Sequence, residues 1–190
     1  GGIKFDPRQY SDREREQIVR GYVRELLKKE PHAIGEFDDI PAPDAGSTGQ
    51  DMAWMRNEFE WIKSLEAGEK ISAPGVITGK PVEEGGSLGR KEATGLGVFF
   101  ILRHALKAFS VELEIPGDFR ECTYSIQGTG NVGFHLLEAL IQNGARKIRY
   151  LSDVSGGVRM QADISDDLFV QFKNHLDHKG ALKDFVHPGV

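Results

Sequence analysis

Gly128-Thr129-Gly130-Asn131-Val132-Gly133 spaces three glycines as G-x-G-x-x-G, and Asp153 follows the last of them by twenty residues. This pattern suits a backbone that must hold a diphosphate. The first glycine permits a tight turn, the second lets the main chain approach a pyrophosphate, and the third lets helix and strand pack closely. The phosphates then face a helix N-terminus, whose free N–H groups and positive dipole end favour an anion. An acidic residue at the distance of Asp153 accepts hydrogen bonds from adenosine ribose hydroxyls. The ligand expected from this arrangement is a dinucleotide.

Such a turn needs a strand before it and a helix behind it, because three glycines at this spacing also occur by chance. Cys122 to Gln127 is a β-prone run. Asn131 to Asn143 predicts a helix with Val132, Leu136, Leu137, Leu140 and Ile141 on one side. Gly144 closes that helix, and Lys147 to Leu151 predicts the next strand, with Asp153 just beyond it. An ordinary glycine turn is the alternative, and the complete strand-helix-strand context argues against it.

A second candidate lies upstream, where Pro41-Ala42-Pro43-Asp44 forms a stiff loop after the short stretch Ile34 to Ile40. Prolines fix the backbone, and an ordered loop can aim a carboxylate for proton transfer. Asp at a loop-helix boundary also serves as a helix cap. Spacing alone leaves capping ahead of catalysis for Asp44.

The elements that must position these residues are helical for the most part. Ser11-Asp12-Arg13-Glu14 has capping-box form, and the helix it starts runs to about Glu30 before Pro31, with Ile18, Tyr22, Val23, Leu26 and Leu27 as its apolar face. A second helix is expected over 48–65, carrying Met52, Met55, Phe59 and Ile62 as core, with Gly68 beyond its end. The glycine-rich, basic segment 77–90 leads into a third helix near Thr94 to Phe109, and a last helix near Asp166 to His178 is capped by Ser165 and ended by Gly180.

At 190 residues with 39% hydrophobic content, the composition suits a soluble globular protein of one large or two small domains. The net charge of −5 and the absence of a basic stripe argue against nucleic-acid binding. The lone Cys122 excludes an internal disulfide, fits a reducing compartment and reads as a core thiol in the predicted strand. No apolar run reaches the length of a membrane span, so a cytoplasmic location is expected. The six histidines show no metal-ligand spacing, and no metal site is expected.

Six blocks carry a resemblance over nearly the whole chain: DIPAPD (39–44), DMAWM (51–55), TGKP (78–81), GGSLGRKEATGLGV (85–98), IQGTGNVG (126–133) and SDVSGG (152–157). Their types and order resemble the glutamate dehydrogenase branch of the amino-acid dehydrogenases. The resemblance implies an α/β protein in which residues 1–90 form the C-terminal part of a substrate and oligomerisation domain, and 91–190 the first half of a doubly wound dinucleotide-binding domain. It implies reversible NAD(P)-dependent oxidative deamination of L-glutamate to 2-oxoglutarate and ammonia. Hydride passes from the amino-acid Cα to the nicotinamide, and a lysine-activated water attacks the resulting iminium.

By the same resemblance Asp44 is the catalytic aspartate that moves protons at the amino nitrogen, which reverses the reading from spacing. Pro43 lies beside the substrate, Arg90 and Thr94 contact the nicotinamide side, and Gly128, Gly130, Asn131, Val132, Gly133 and Asp153 bind the cofactor. Asp153 favours NAD on electrostatic grounds, while Lys147 and Arg149 nearby keep NADP open. Homo-oligomers, commonly hexamers, are the rule in the family.

The family's catalytic lysine stands directly before the Gly1-Gly2-Ile3 segment, two lysines for the substrate carboxylates lie further upstream, and a serine for the glutamate side chain comes beyond Gly180. Gly1 to Pro7 has no initiator methionine and reads as a loop entered midway, so the 190 residues alone are expected to be inactive. Leucine, valine and phenylalanine dehydrogenases share the scaffold, and a non-catalytic dinucleotide-binding or interaction module is the remaining alternative.

Overall fold

The structure is a computed structural model that describes residues 2–44, 46–178 and 181–190. The chain divides into two compact units, Gly1–Arg90 and Lys91–Val190.

The first unit pairs two long helices. Helix α1 (Asp12–Lys29) opens with a complete capping box: the Glu14 N–H donates to Ser11 Oγ, and the Ser11 N–H donates to the Glu14 carboxylate at 2.9 Å. Helix α2 (Gly49–Ala67) opens the same way from Thr48 and Asp51, and ends on Gly68 in the left-handed conformation at φ 71°. The boundary after Ala67 follows from that conformation, which only glycine adopts without cost.

Val19, Val23 and Leu27 of α1 pack with Met52, Met55 and Phe59 of α2, over a floor of Ile34, Ala73, Val76 and Ile77. The fully buried Val23 is worth about 1.5–3 kcal/mol on transfer from water. The apolar face expected for α1 lies slightly too far round: Val19 is buried, whereas Ile18, Tyr22 and Leu26 are half-buried. Beside this apolar seam, Arg15 clamps Asp51, and Arg20 and Arg24 both reach the buried Glu58.

The second unit is built on a small mixed sheet. Strands β1 (Tyr124–Gln127) and β2 (Ile148–Asp153) run parallel, joined by helix α4 (Asn131–Gln142). In register, Ile126 faces Leu151 and Gln127 faces Ser152. Strand β3 (Gly156–Arg159) returns antiparallel to β2, giving the order β1-β2-β3. The sequence does not announce the β2–β3 hairpin, because Gly156 and Gly157 are poor strand formers; β2 starts one residue later than its own sequence suggests and ends two residues later, where β3 pairs with its end.

Cys122 is buried but precedes β1 rather than lying in it, and its thiol faces the Pro116 carbonyl at 3.3 Å. Burial pushes that thiol's pKa up, in keeping with an inert core group. Gly144, at φ 92°, ends α4.

Helix α3 (Ala93–Phe109) packs against α4, and the approach is close: a Cβ on Gly95 would crowd the Val132 carbonyl and the Leu136 N–H. Helix α5 (Asp166–Asp177) is capped by Ser165, whose Oγ accepts from the Leu168 N–H at 3.1 Å. Its expected end at Gly180 lies outside the described residues. Leu137, Leu140, Ile148, Leu151 and Phe172 form the centre of the core. Among the described residues, no helix is long and apolar enough to cross a membrane.

Candidate functional site: a glycine turn and a proline loop

The G-x-G-x-x-G segment sits where β1 gives way to α4. Gly128 has φ +94°, a conformation that side chains strain, and its N–H donates to the Ser152 carbonyl at 2.6 Å, extending the β1–β2 pairing into the turn. A Cβ on Gly133 would fall on the Gly128 carbonyl oxygen, so the first turn of α4 lies directly against the end of the strand. Gly130 is the opposite case. Nothing lies within 4 Å of where its Cβ would be, which leaves its backbone open to an incoming group.

Gly130 is also the N-cap of α4, with no side-chain hydrogen bond to the helix and no acidic residue in the first turn. The helix N-terminus therefore keeps unsatisfied donors and its full positive end. A groove of about 460 Å³ is lined here by Gly128, Gly130, Asn131, Val132, Gly133 and Ile126. These features fit a dinucleotide diphosphate. Asn131 also braces the turn, because its amide Nδ2 donates to the Lys91 carbonyl at 2.6 Å and ties the segment to the start of α3.

Asp153, at the end of β2, is held on both carboxylate oxygens. Thr129 Oγ1 donates to Oδ2 at 3.2 Å, while the Ser155 N–H and hydroxyl donate to Oδ1 at 2.7 and 2.6 Å. The Ser155 hydroxyl, with further help from the Ser155 N–H and Thr129 donors, holds the Asp153 pKa below the usual carboxylate value. It is an anion with a fixed orientation beside the glycine turn. The sequence points to Asp153 but less plainly to its two supports. The signal for Ser155 is Asp153-Val154-Ser155, since Asp readily accepts from the backbone two residues on, whereas Thr129 lies twenty-four residues away and has no local signal.

In the first unit, Asp44 lies on an exposed loop and lines a cavity of about 540 Å³ together with Arg15, Tyr22, Asp39, Asp51 and Met52. Its backbone is closed into a turn: the Asp44 N–H donates to Ser47 Oγ at 2.6 Å, and the Ser47 hydroxyl returns a bond to the Asp44 carbonyl at 2.8 Å. The cap of α2 is Thr48, so the capping reading of Asp44 is corrected. Asp51 takes the acidic position of that capping box and is only 2% exposed. It also accepts from Arg15 Nε at 2.7 Å, so one carboxylate starts α2 and binds it to α1. The signal for this is Thr48-x-x-Asp51, a capping-box spacing with Asp in place of Glu.

Pro43 packs against Gly79, where φ is +73° and a Cβ would overlap the proline ring. The Thr78 N–H donates to the Pro41 carbonyl at 2.9 Å. Arg90 is exposed at the end of the first unit, and Thr94 is exposed on the first turn of α3 in the second. The turn residues and Asp153 thus come together within the second unit, and Pro43 and Asp44 within the first. Among the described residues, no group of three His, Cys, Asp or Glu side chains is placed to hold a metal ion.

Residues 85–188 match the family described as glutamate/leucine/phenylalanine/valine dehydrogenase, and residues 1–61 match its dimerisation domain. The NAD-specific glutamate dehydrogenase of Peptoniphilus asaccharolyticus is 40% identical over the whole of this chain, which spans 41% of that relative's length. Two solved structures are similar in fold. The hetero-hexameric glutamate dehydrogenase of Thermus thermophilus in its Leu-bound form superposes with a TM-score of 0.74 at 30% identity, over 95% of this chain and 39% of that one. The glutamate dehydrogenase of Plasmodium falciparum gives 0.75 at 30% identity, over 95% and 35%. With more than half of its residues matched by the catalytic family's own pattern, the chain belongs to the glutamate/leucine/phenylalanine/valine dehydrogenase family.

Proposed function

We propose that the full-length protein catalyses reversible NAD(P)-dependent oxidative deamination of L-glutamate to 2-oxoglutarate and ammonia. The observation that carries this reading is the open backbone of Gly130 at an uncapped helix N-terminus, with the Asp153 carboxylate fixed beside it. In this reading residues 91–190 belong to the dinucleotide-binding domain and residues 1–90 to the substrate and oligomerisation domain.

Gly128, Gly130, Asn131, Val132 and Gly133 hold the diphosphate through main-chain donors, and Asp153 accepts from the ribose hydroxyls. When bound, the dinucleotide supplies the hydride acceptor. Arg90 and Thr94 contact its nicotinamide side, Pro43 lies beside the amino acid, and Asp44 takes and returns the proton at the amino nitrogen.

NAD is the favoured cofactor. The held Asp153 anion repels a 2′-phosphate, and the nearby cations are engaged elsewhere: Arg149 pairs with Asp163 at 2.7 Å, and Lys147 donates to the Glu121 carbonyl at 3.2 Å. The name of the Peptoniphilus relative, NAD-specific, points the same way. The Thermus relative is named a hexamer, which supports an oligomer here, and a homohexamer is the proposed assembly.

Initial rates of the full-length protein with L-glutamate, L-leucine, L-valine and L-phenylalanine, each with NAD and with NADP, test the proposal. The highest kcat/KM is expected for glutamate with NAD. A preference for an apolar amino acid overturns the substrate, and calorimetry showing no dinucleotide binding overturns the enzyme reading altogether.

A further inference from the structure

Lys80 is 6% exposed, an unusual place for an ammonium, and its hydrogen-bond partners are main-chain carbonyls. Nζ donates to the Pro74 carbonyl at 2.9 Å and to the Ile77 carbonyl. Burial, and next the nearby Arg56 cation, push its pKa below the ordinary lysine value. A cation is thus kept in a poorly solvated place where it staples the 74–80 loop closed.

That loop is the bed on which the proline loop rests. Ala73, Val76 and Ile77 anchor it in the core, and the Ala73 N–H is held by the Glu60 carboxylate at 2.8 Å. Between the second stapled carbonyl, that of Ile77, and Lys80 itself lie only Thr78 and Gly79. These two residues make the contacts with the loop that bears Asp44: the Thr78 N–H and hydroxyl both donate to the Pro41 carbonyl, and Gly79 lies face to face with the Pro43 ring. On the other side, a Cβ on Gly49 at the start of α2 would touch the Gly79 carbonyl at 3.2 Å. Gly79 is therefore wedged between the proline loop and the start of α2.

We propose that Lys80 is a positioning residue for the Asp44 loop, acting through Thr78 and Gly79. It does not touch substrate. By holding the Pro74 and Ile77 carbonyls, it fixes the angle at which Thr78 and Gly79 meet Pro41 and Pro43, and so the placement of the Asp44 carboxylate. The catalytic half of this inference rests on the proton-transfer role proposed for Asp44; the conformational half does not.

Hydrogen exchange read by mass spectrometry on the full-length protein separates the two halves. Lys80→Met keeps the stem and removes the donors. It should speed exchange about tenfold or more both in 74–81 and in the Asp44 and Ser47 amides of 41–47, while α1 and α5 stay protected. It should also lower kcat about tenfold while leaving KM for NAD within about twofold. Thr78→Val, which removes one side-chain donor at the contact, should give a smaller change of the same sign in 41–47, and Lys80→Gln, whose shorter side chain cannot span both carbonyls, decides the matter if Lys80→Met does not fold. Faster exchange confined to 74–81, or none in 41–47 with any variant, overturns the inference. Absence of turnover in the wild-type protein overturns the function proposed for Asp44, and the exchange result still decides whether Lys80 positions its loop.

Discussion

The Pro41–Asp44 loop and the Gly128–Gly133 turn each carry a proposed site on an irregular segment, and they achieve rigidity by opposite means. The proline loop is held by added groups: two pyrrolidine rings, the Thr78 donors, the Ser47 hydroxyl that both accepts from and donates to the Asp44 backbone, and behind them the Lys80 ammonium. The glycine turn is held by subtraction, since side chains are missing where Gly128 must adopt φ +94° and where Gly133 meets the Gly128 carbonyl. A loop that presents a side chain must constrain a chain of atoms, whereas a turn that presents its own backbone must clear space around it. The two regions should therefore answer mutation in opposite ways. Removing polar atoms damages the first, and adding a single carbon damages the second.

The most severe break on the first side is Asp44→Asn. It keeps size and removes the proposed base, so kcat of the full-length protein should fall by about 10²–10⁴-fold, the span of general acid-base catalysis. Melting temperature should stay within error of wild type, because Asp44 is exposed and α2 is capped from Thr48. A parallel loss of stability would show that Asp44 holds the fold instead of the proton.

Next in size is Asp51→Ala, which acts on the scaffold beneath that loop. It strands the largely buried Arg15 guanidinium and deletes the acidic half of the α2 capping box. Breaking a buried pair from one side costs about 3–5 kcal/mol, read as a lowered urea midpoint. Arg15→Met with Asp51→Leu should recover most of the loss, since a buried pair replaced by apolar groups is often neutral or better.

On the second side, Gly133→Ala adds one methyl. Alanine is the better helix former by about 1 kcal/mol, so a site governed by propensity would gain stability. Overlap with the Gly128 carbonyl should reverse the sign and give a net loss of about 1–3 kcal/mol, with dinucleotide affinity falling alongside. Gly130→Ala sharpens the contrast. It meets no neighbour, so stability should hold, while affinity measured by calorimetry drops about tenfold, or about 1.4 kcal/mol, as the methyl stands in the approach path.

The same contrast governs what the sequence disclosed. Subtraction is legible: three glycines between a β-prone run and an amphipathic helix leave few interpretations, and β1, α4 and β2 appear in the expected order with ends shifted by one or two residues. Two helix starts are legible too, because Ser11 and Ser165 carry their own capping signals, whereas the Thr48 cap of α2 is masked by the more obvious candidate Asp44. Support from a distance is not. Nothing local in Thr78-Gly79-Lys80 announces that the lysine turns inward onto carbonyls three and six residues earlier. Nor does Arg15 announce a partner thirty-six residues away. The β2–β3 hairpin is hidden by the glycines at the start of β3, since the same residues read as loop until Tyr150 and Leu151 are seen to pair with Arg159 and Val158.

The smallest effect comes where the two strategies meet, at Asp153, a side chain presented beside the glycine turn and held by added donors. Ser155→Ala removes the hydroxyl that contributes most to keeping this carboxylate below its ordinary pKa, while the Ser155 backbone and Thr129 donors stay in place. The folded-state value should therefore rise part of the way back towards 3.8, the shift being followed by carbon-detected titration of the Asp153 carboxyl. A depressed folded pKa favours the folded state fully above the unfolded value, and that contribution is lost as pH falls through the folded one. Ser155→Ala should consequently cost a little stability at neutral pH, and the gap from wild type should close as both proteins are acidified below the Asp153 pKa. At neutral pH Asp153 remains an anion in both proteins, so any change in preference between NAD and NADP must come from its orientation and not from its charge. If Ser155→Ala narrows that preference, the added donors at Asp153 are there to aim a carboxylate, as those around Asp44 are; if preference is untouched, Thr129 and the Ser155 backbone suffice and the glycine turn supplies its own support.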